Sequence, residues 1–114
     1  MTALDVLIRA RALIERPENW WDGKPYDYPP PQQRHCAVTA LHFVAGLDVA
    51  ASGEAYKALE NAVGPSIPLW NDNSTHAQVL AGFERAIASL REFERLTDIS
   101  VFERICDEAS KELV

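Results

Sequence analysis

Apolar positions recur along most of this chain at intervals of three and four, the period of a helix with one buried face. The first stripe is Ala3, Val6, Leu7, Ala10, Leu13 and Ile14. It predicts a helix over about Ala3 to Arg16, capped by Thr2 with Asp5 and stopped by Pro17. A second run, "CAVTALHFVA" at 36–45, is apolar, small or Thr at nearly every position. That composition predicts a central helix over about 34–45, buried all round and closed by Gly46. A third helix is expected from about Gly53 to Val63, with Ser52 as its cap, Tyr56, Leu59, Ala62 and Val63 on one face, and Gly64-Pro65 as its end. Thr75 and Gln78 form a capping-box pattern ahead of Val79, Leu80, Phe83, Ala86, Ile87 and Leu90, which predicts a fourth helix running on through "REFER". Ser100 with Glu103 repeats that pattern, so the reading places a fifth, add-on helix in 97–114, striped by Val101, Phe102, Ile105, Cys106, Ala109 and Leu113. Alternation with period two is nearly absent. The expected fold is all-α: one compact domain, 1–114, of four to five helices.

The segment 17–34, "PENWWDGKPYDYPPPQQR", breaks the helical pattern, with five prolines and four aromatic residues in 18 positions. Pro29-Pro30-Pro31 favours an extended polyproline conformation. Long loops in small domains are usually functional or disordered, and large rings seek burial. Trp20 or Trp21 is therefore expected to fold back onto the helices. Trp20, Trp21, Tyr26 and Tyr28 are the candidate partner-binding residues.

Composition narrows the classes. At 114 residues one domain is the natural expectation, and apolar residues at 47% supply a real core. No apolar run approaches the roughly 20 residues of a membrane span, and "MTALDVLIRARALIERP" lacks the layout of a secretion signal. A cytoplasmic protein, without membrane contact, is expected. Seventeen acids against eleven bases give a net charge of −6. This disfavours direct binding to nucleic acid and would suit a basic protein partner. The acids gather near the C-terminus as Glu92, Glu94, Asp98, Glu103, Asp107, Glu108 and Glu112, read as a solvated helix face. The two cysteines, Cys36 and Cys106, make no disulfide framework and are expected to be free and buried. No cofactor and no metal site is expected, since there is no CxxC.

The polar cluster in "LWNDNSTHAQVL", residues 69–80, can be read in two ways. As structure, Asn71 and Asp72 favour a turn and Thr75 with Gln78 launches a helix. In that reading Asn71 and Asp72 could also bond across to the start of helix two, locking it to the tryptophan-rich loop and helix four. As chemistry, a Cys36 nucleophile at a helix start, a His76 base and an Asp72 or Asn71 orienter make the residue set of a small cysteine-dependent hydrolase or transferase. His35, Cys36, His76 and Asp72 would also serve a metal. Scarce glycine near Cys36 and the absence of a strand–turn–helix elbow weigh against catalysis. His42 is expected to be a core histidine.

"CAVTAL" after a Trp/Pro-rich loop, followed by "WNDNSTHAQVLAGFERAI", resembles a family of small uncharacterised actinobacterial, proteobacterial and phage proteins, a domain of unknown function. In that family a "CA-x-GA" helix precedes an "ND…T-x-x-E-V-L…F-x-x-A-I" segment. The matching residues are Cys36, Ala37, Ala40, Leu41, Asn71, Asp72, Thr75, Val79, Leu80, Phe83, Ala86 and Ile87. Thr39 replaces the usual glycine and Gln78 the usual acid. The resemblance spans about 3–90. It implies an all-helical domain in a prokaryotic or phage setting, and no reaction. The leading expectation is a non-enzymatic interaction module acting through the aromatic loop or the acidic C-terminal helix, with self-association an open option.

Overall fold

A computed structural model describes residues 1–23 and 34–112, with side chains through residue 96. Tyr26, Tyr28 and the proline run lie outside the described residues. The described elements are α1 (Ala3–Leu13), a 3-10 turn (Pro17–Asn19), α2 (Ala37–Ala45), α3 (Val49–Val63), α4 (Ile67–Asp72) and α5 (His76–Glu112). The all-α expectation holds, and no strand is present among the described residues. The nearest thing to one is a single parallel bridge between Trp20 and His35.

Helix boundaries follow local chemistry. Thr2 Oγ1 accepts the Asp5 amide at 3.1 Å, and Asp5 Oδ2 accepts the Thr2 amide at 3.2 Å. The backbone bond from Thr2, then its hydroxyl, hold the Asp5 carboxyl below its ordinary pKa. The cap's charge-dependent contribution is thus present above the unfolded carboxyl's range and lost as pH falls through the lowered folded value. α1 stops at Leu13, short of Arg16. Proline disfavours helix in the residue before it, and Arg16 is extended at φ −84°, ψ 135°. α2 begins at Ala37 rather than 34, because His35 is held in the bridge and Cys36 is extended. α3 begins four residues before the expected Gly53. Asp48 is its cap, accepting the Ala51 amide at 3.1 Å. Ser52, the expected cap, is instead a nearly buried position inside the helix.

α4 was not visible in the sequence pattern. Ser66 Oγ accepts the Leu69 amide at 3.3 Å and Pro68 occupies the first turn, where a missing N–H costs nothing. At the head of α5, Thr75 and Gln78 bond reciprocally, at 2.8 and 3.2 Å. α5 then continues through 37 residues. It passes Ser100 without a break, so the separate fifth helix expected there is the far part of α5. A Ser-x-x-Glu string caps a helix only when the chain before it is non-helical; inside a helix the same residues are ordinary.

The core is built from Val6, Leu7, Ala10 and Ile14, Ala37, Ala40 and Leu41, Ala55 and Leu59, Ile67, and Val79, Phe83 and Ala86. α1 packs on α2, α3 and α5, while α3 also meets α2, α4 and α5. α2 is therefore not buried all round. Ala37, Ala40, Leu41 and Ala45 face inward, but Thr39, His42 and Phe43 are exposed. The expected core histidine is a surface residue whose Nδ1 lies 3.4 Å from Ser52 Oγ. Small alanines on the inner faces let the short helices approach closely. Gly82 serves the same end: a Cβ there would collide with the Trp70 ring and Val63.

The molecule measures 71 × 26 × 23 Å, with a radius of gyration of 18.0 Å. A globule of this length would have roughly 13 Å. The excess comes from α5, about 55 Å long at 1.5 Å per residue. Its first half packs in the globule, and the remainder projects.

Candidate functional site

The polar residues singled out in the sequence converge where α4 ends, α2 begins and the 17–23 segment crosses. Asn71 is wholly buried. Its Oδ1 accepts the Trp20 indole N–H at 2.9 Å and the Ala37 amide at 3.0 Å. Its Nδ2 donates to the Trp21 carbonyl at 3.1 Å. A buried amide is tolerated only if its groups are satisfied. Here each bond also supplies a group the fold leaves open. Ala37 is the first residue of α2, whose amide has no partner within the helix, and Cys36 provides no side-chain cap. Asn71 is thus the remote cap of α2. The bridge from the Asn-Asp bend to helix two is a direct hydrogen bond.

Two backbone bonds tie the base of the aromatic loop: Trp21 N–H to the His35 carbonyl at 3.0 Å and His35 N–H to the Asn19 carbonyl at 2.8 Å. Gly23 closes against Asp72. It sits at φ 76°, and a Cβ would run into the Asp72 carboxylate. Only glycine suits that place. Trp20 is half-buried against the core, with its N–H turned inward, and its ring lies 5.6 Å from the His76 ring, tilted by 40°. His76 Nε2 donates to the Ile14 carbonyl at 2.6 Å, tying the start of α5 to the last turn of α1. The half-buried Trp21 keeps its Nε1 buried, with no hydrogen-bond partner among the described residues.

These contacts bear on the reactive reading. Cys36 is half-buried, not sealed in the core as its apolar neighbours suggested. It stands at the cap position of α2, where the chain is still at the surface. Its Sγ lies 3.4 Å from Thr39 Oγ1. That hydroxyl also donates to the Cys36 carbonyl at 3.2 Å. His76 spends its Nε2 on the Ile14 carbonyl. The thiol and the imidazole are each engaged with a different neighbour, and Asn71 faces α2 and the tryptophans. Among the described residues no group of three or more His, Cys, Asp or Glu could hold a metal ion. A shallow hollow of about 260 Å3 lies between Pro17, Trp20, Asp22, Arg34 and His76.

Residues 1–89 match the family model described as "Family of unknown function (DUF6197)". The chain belongs to this family. No curated protein and no solved structure matches it. The DUF6197 segment contains all of the bracing just described, from the Thr2 cap to Phe83, and it ends at residue 89, inside α5. The DUF6197 domain is therefore the globule, and the projecting part of α5 lies beyond it. Arg11 links the two ends of the domain, pairing with Glu84 at 2.7 Å and Glu15 at 3.5 Å; such exposed pairs add little stability. No described helix is long and apolar enough to cross a membrane.

Proposed function

We propose that this chain is a non-enzymatic protein-interaction module of a prokaryote or phage, in which the DUF6197 globule presents the far half of α5 to a protein partner. One observation carries the reading: α5 outruns the globule that holds it. Among the α5 residues whose side chains are described, Leu90 is the last packed against the core. Beyond it Phe93 is 67% and Leu96 54% exposed. A helix extended into water gains little from propensity alone and is normally sustained by burying an apolar face. The sequence continues the apolar positions through Val101, Phe102, Ile105, Cys106 and Ala109, at spacings suited to laying a helix into a groove. Its acids, from Glu92 to Glu112, favour a basic rim on the partner. The engagement of Cys36 and His76 with separate neighbours adds weight against the hydrolase alternative.

A chain ending at Arg91 tests this. It keeps every core residue, so its thermal transition and near-ultraviolet circular dichroism should match those of the full chain. Proteins retained by the full chain from its source lysate should be lost from the shortened one, and their retention should weaken with rising salt. A shortened chain that retains the same proteins would remove the far half of α5 from the binding surface.

A further inference from the structure

A groove of about 600 Å3 runs between the end of α3, α4 and the first turns of α5. It lies wholly within the DUF6197 globule and is separate from the proposed α5 surface. Its size falls within the roughly 300–1,000 Å3 of small-molecule sites. Val63, Leu69, Trp70 and Ala81 supply apolar wall, and none of its lining residues is acidic. In a chain of net charge −6 that is an electrostatic exception. The groove's single charged group is Arg85, and no hydrogen bond or ion pair among the described residues engages it. Of the other arginines, Arg11, Arg16 and Arg95 are each paired with a glutamate, whereas Arg34 and Arg91, which line other hollows, share with Arg85 the lack of an ion pair among the described residues.

Much of the remaining polar rim is already committed, Ser66 Oγ accepting the Leu69 amide at 3.3 Å. Ser74 Oγ donates to the Trp70 carbonyl at 2.6 Å, and Asn73 Nδ2 to the Leu69 carbonyl at 2.9 Å. Gln78 Oε1 accepts the Thr75 amide. The Ser74 hydroxyl fixes the Trp70 backbone, and the ring edge lies against Gly82, which leaves it no room to shift toward α5. We propose that this groove binds a small organic anion: a flat apolar ring system bearing one carboxylate. The ring lies against Trp70 and its apolar neighbours, and the carboxylate takes the two-pronged guanidinium of Arg85. A phosphate monoester fits less well, because its extra charge and oxygens would find no second cation and few uncommitted donors.

The test uses the full chain, labelled with 15N, titrated with 2-naphthoate and separately with neutral 2-naphthamide. Naphthoate should move the Trp70 indole N–H (assigned with Trp70→Phe) and the Gly64 and Ser74 amides, and bind at least about tenfold more tightly than the amide. Arg85→Gln, at an exposed position, should keep the native spectrum and weaken naphthoate by about tenfold or more. Arg91→Gln, outside the groove, should leave binding unchanged. Three results would each overturn the proposal: no movement of groove resonances at millimolar naphthoate, equal binding of the amide, or undiminished binding by Arg85→Gln.

Discussion

Leucine at position 71 is expected to destabilise the protein by about 3–6 kcal/mol, although it matches asparagine closely in size. The argument is one of unmet hydrogen bonds. Asn71 receives the Trp20 and Ala37 N–H groups and donates to the Trp21 carbonyl, all at 2.9–3.1 Å. Leucine serves none of them, and each buried group left without a partner costs roughly 1–3 kcal/mol. The 17–23 segment lies near the surface and can swing outward to regain water, which sets the total below the simple sum's upper end. Against a typical stability of about 5–15 kcal/mol, this is a large fraction. Urea titration followed by tryptophan emission measures it. The emission of the folded variant should also shift to the red as Trp20 leaves its seat. Paired with Trp20→Phe, the two changes should be non-additive, because they share a bond. A loss under about 1 kcal/mol would mean that the amide is a passenger and that Ala37 finds another acceptor.

Phe83→Ala is the second large effect, and its cause is volume instead of polarity. Phe83 is the largest fully buried side chain among the described residues, at 0% exposure. It lies on α5 among Val79, Ala86 and the inner faces of α1 and α3. Truncating such a ring removes its transfer free energy and leaves a cavity, about 3–5 kcal/mol together. The same denaturation experiment reads it out, with the tryptophan seats expected to stay native in the folded fraction. That separates it from the change at 71. A cost below roughly 1.5 kcal/mol would show that α1 and α5 close over the gap, and that this core is softer than its alanine-rich packing implies.

Much of this fold was legible because its signals are local. Val6, Leu7 and Ala10 on one helix, or Val79, Phe83 and Ala86 on another, write their shared face into the spacing. Thr75 and Gln78 announce a helix start through two residues three apart. The parts that were missed depend on neighbours distant in sequence, or on elements too short to show a period. α4 has six residues, fewer than two turns, so "LWND" read as a bend. Its Asn71 and Asp72 end a helical turn, and still put an amide where α2 needs one. Ser52 read as a cap because its residue type fits, but Asp48 was already in place and Val49, 80% exposed, gave no apolar stripe to mark the true start. α2 looked buried throughout because Phe43 and Val38 are apolar; Phe43 is 67% exposed and meets the His35 ring at a tilt, with 5.0 Å between ring centres. At the candidate site, the convergence of Asn71, Trp20 and the start of α2 was foreseeable as a type of contact. The choice of Asn71 over Asp72 for it was not, since both residues suit either task. The groove beside Arg85 carried no signal at all: its residues come from three helices, and each looks ordinary in its own stretch.

The bonds of Asn71 reach across 34, 50 and 51 residues of chain. Contacts that close such long loops are the costly ones to form, whereas helical turns assemble quickly on their own. On the ribosome, the amino-terminal helices and the tryptophan segment emerge well before their shared acceptor does. Until residue 71 has cleared the exit tunnel, the opening turn of α2, the Trp20 indole and the Trp21 carbonyl must wait in a provisional arrangement. Completion of the first third of this protein is thereby deferred to the arrival of its second.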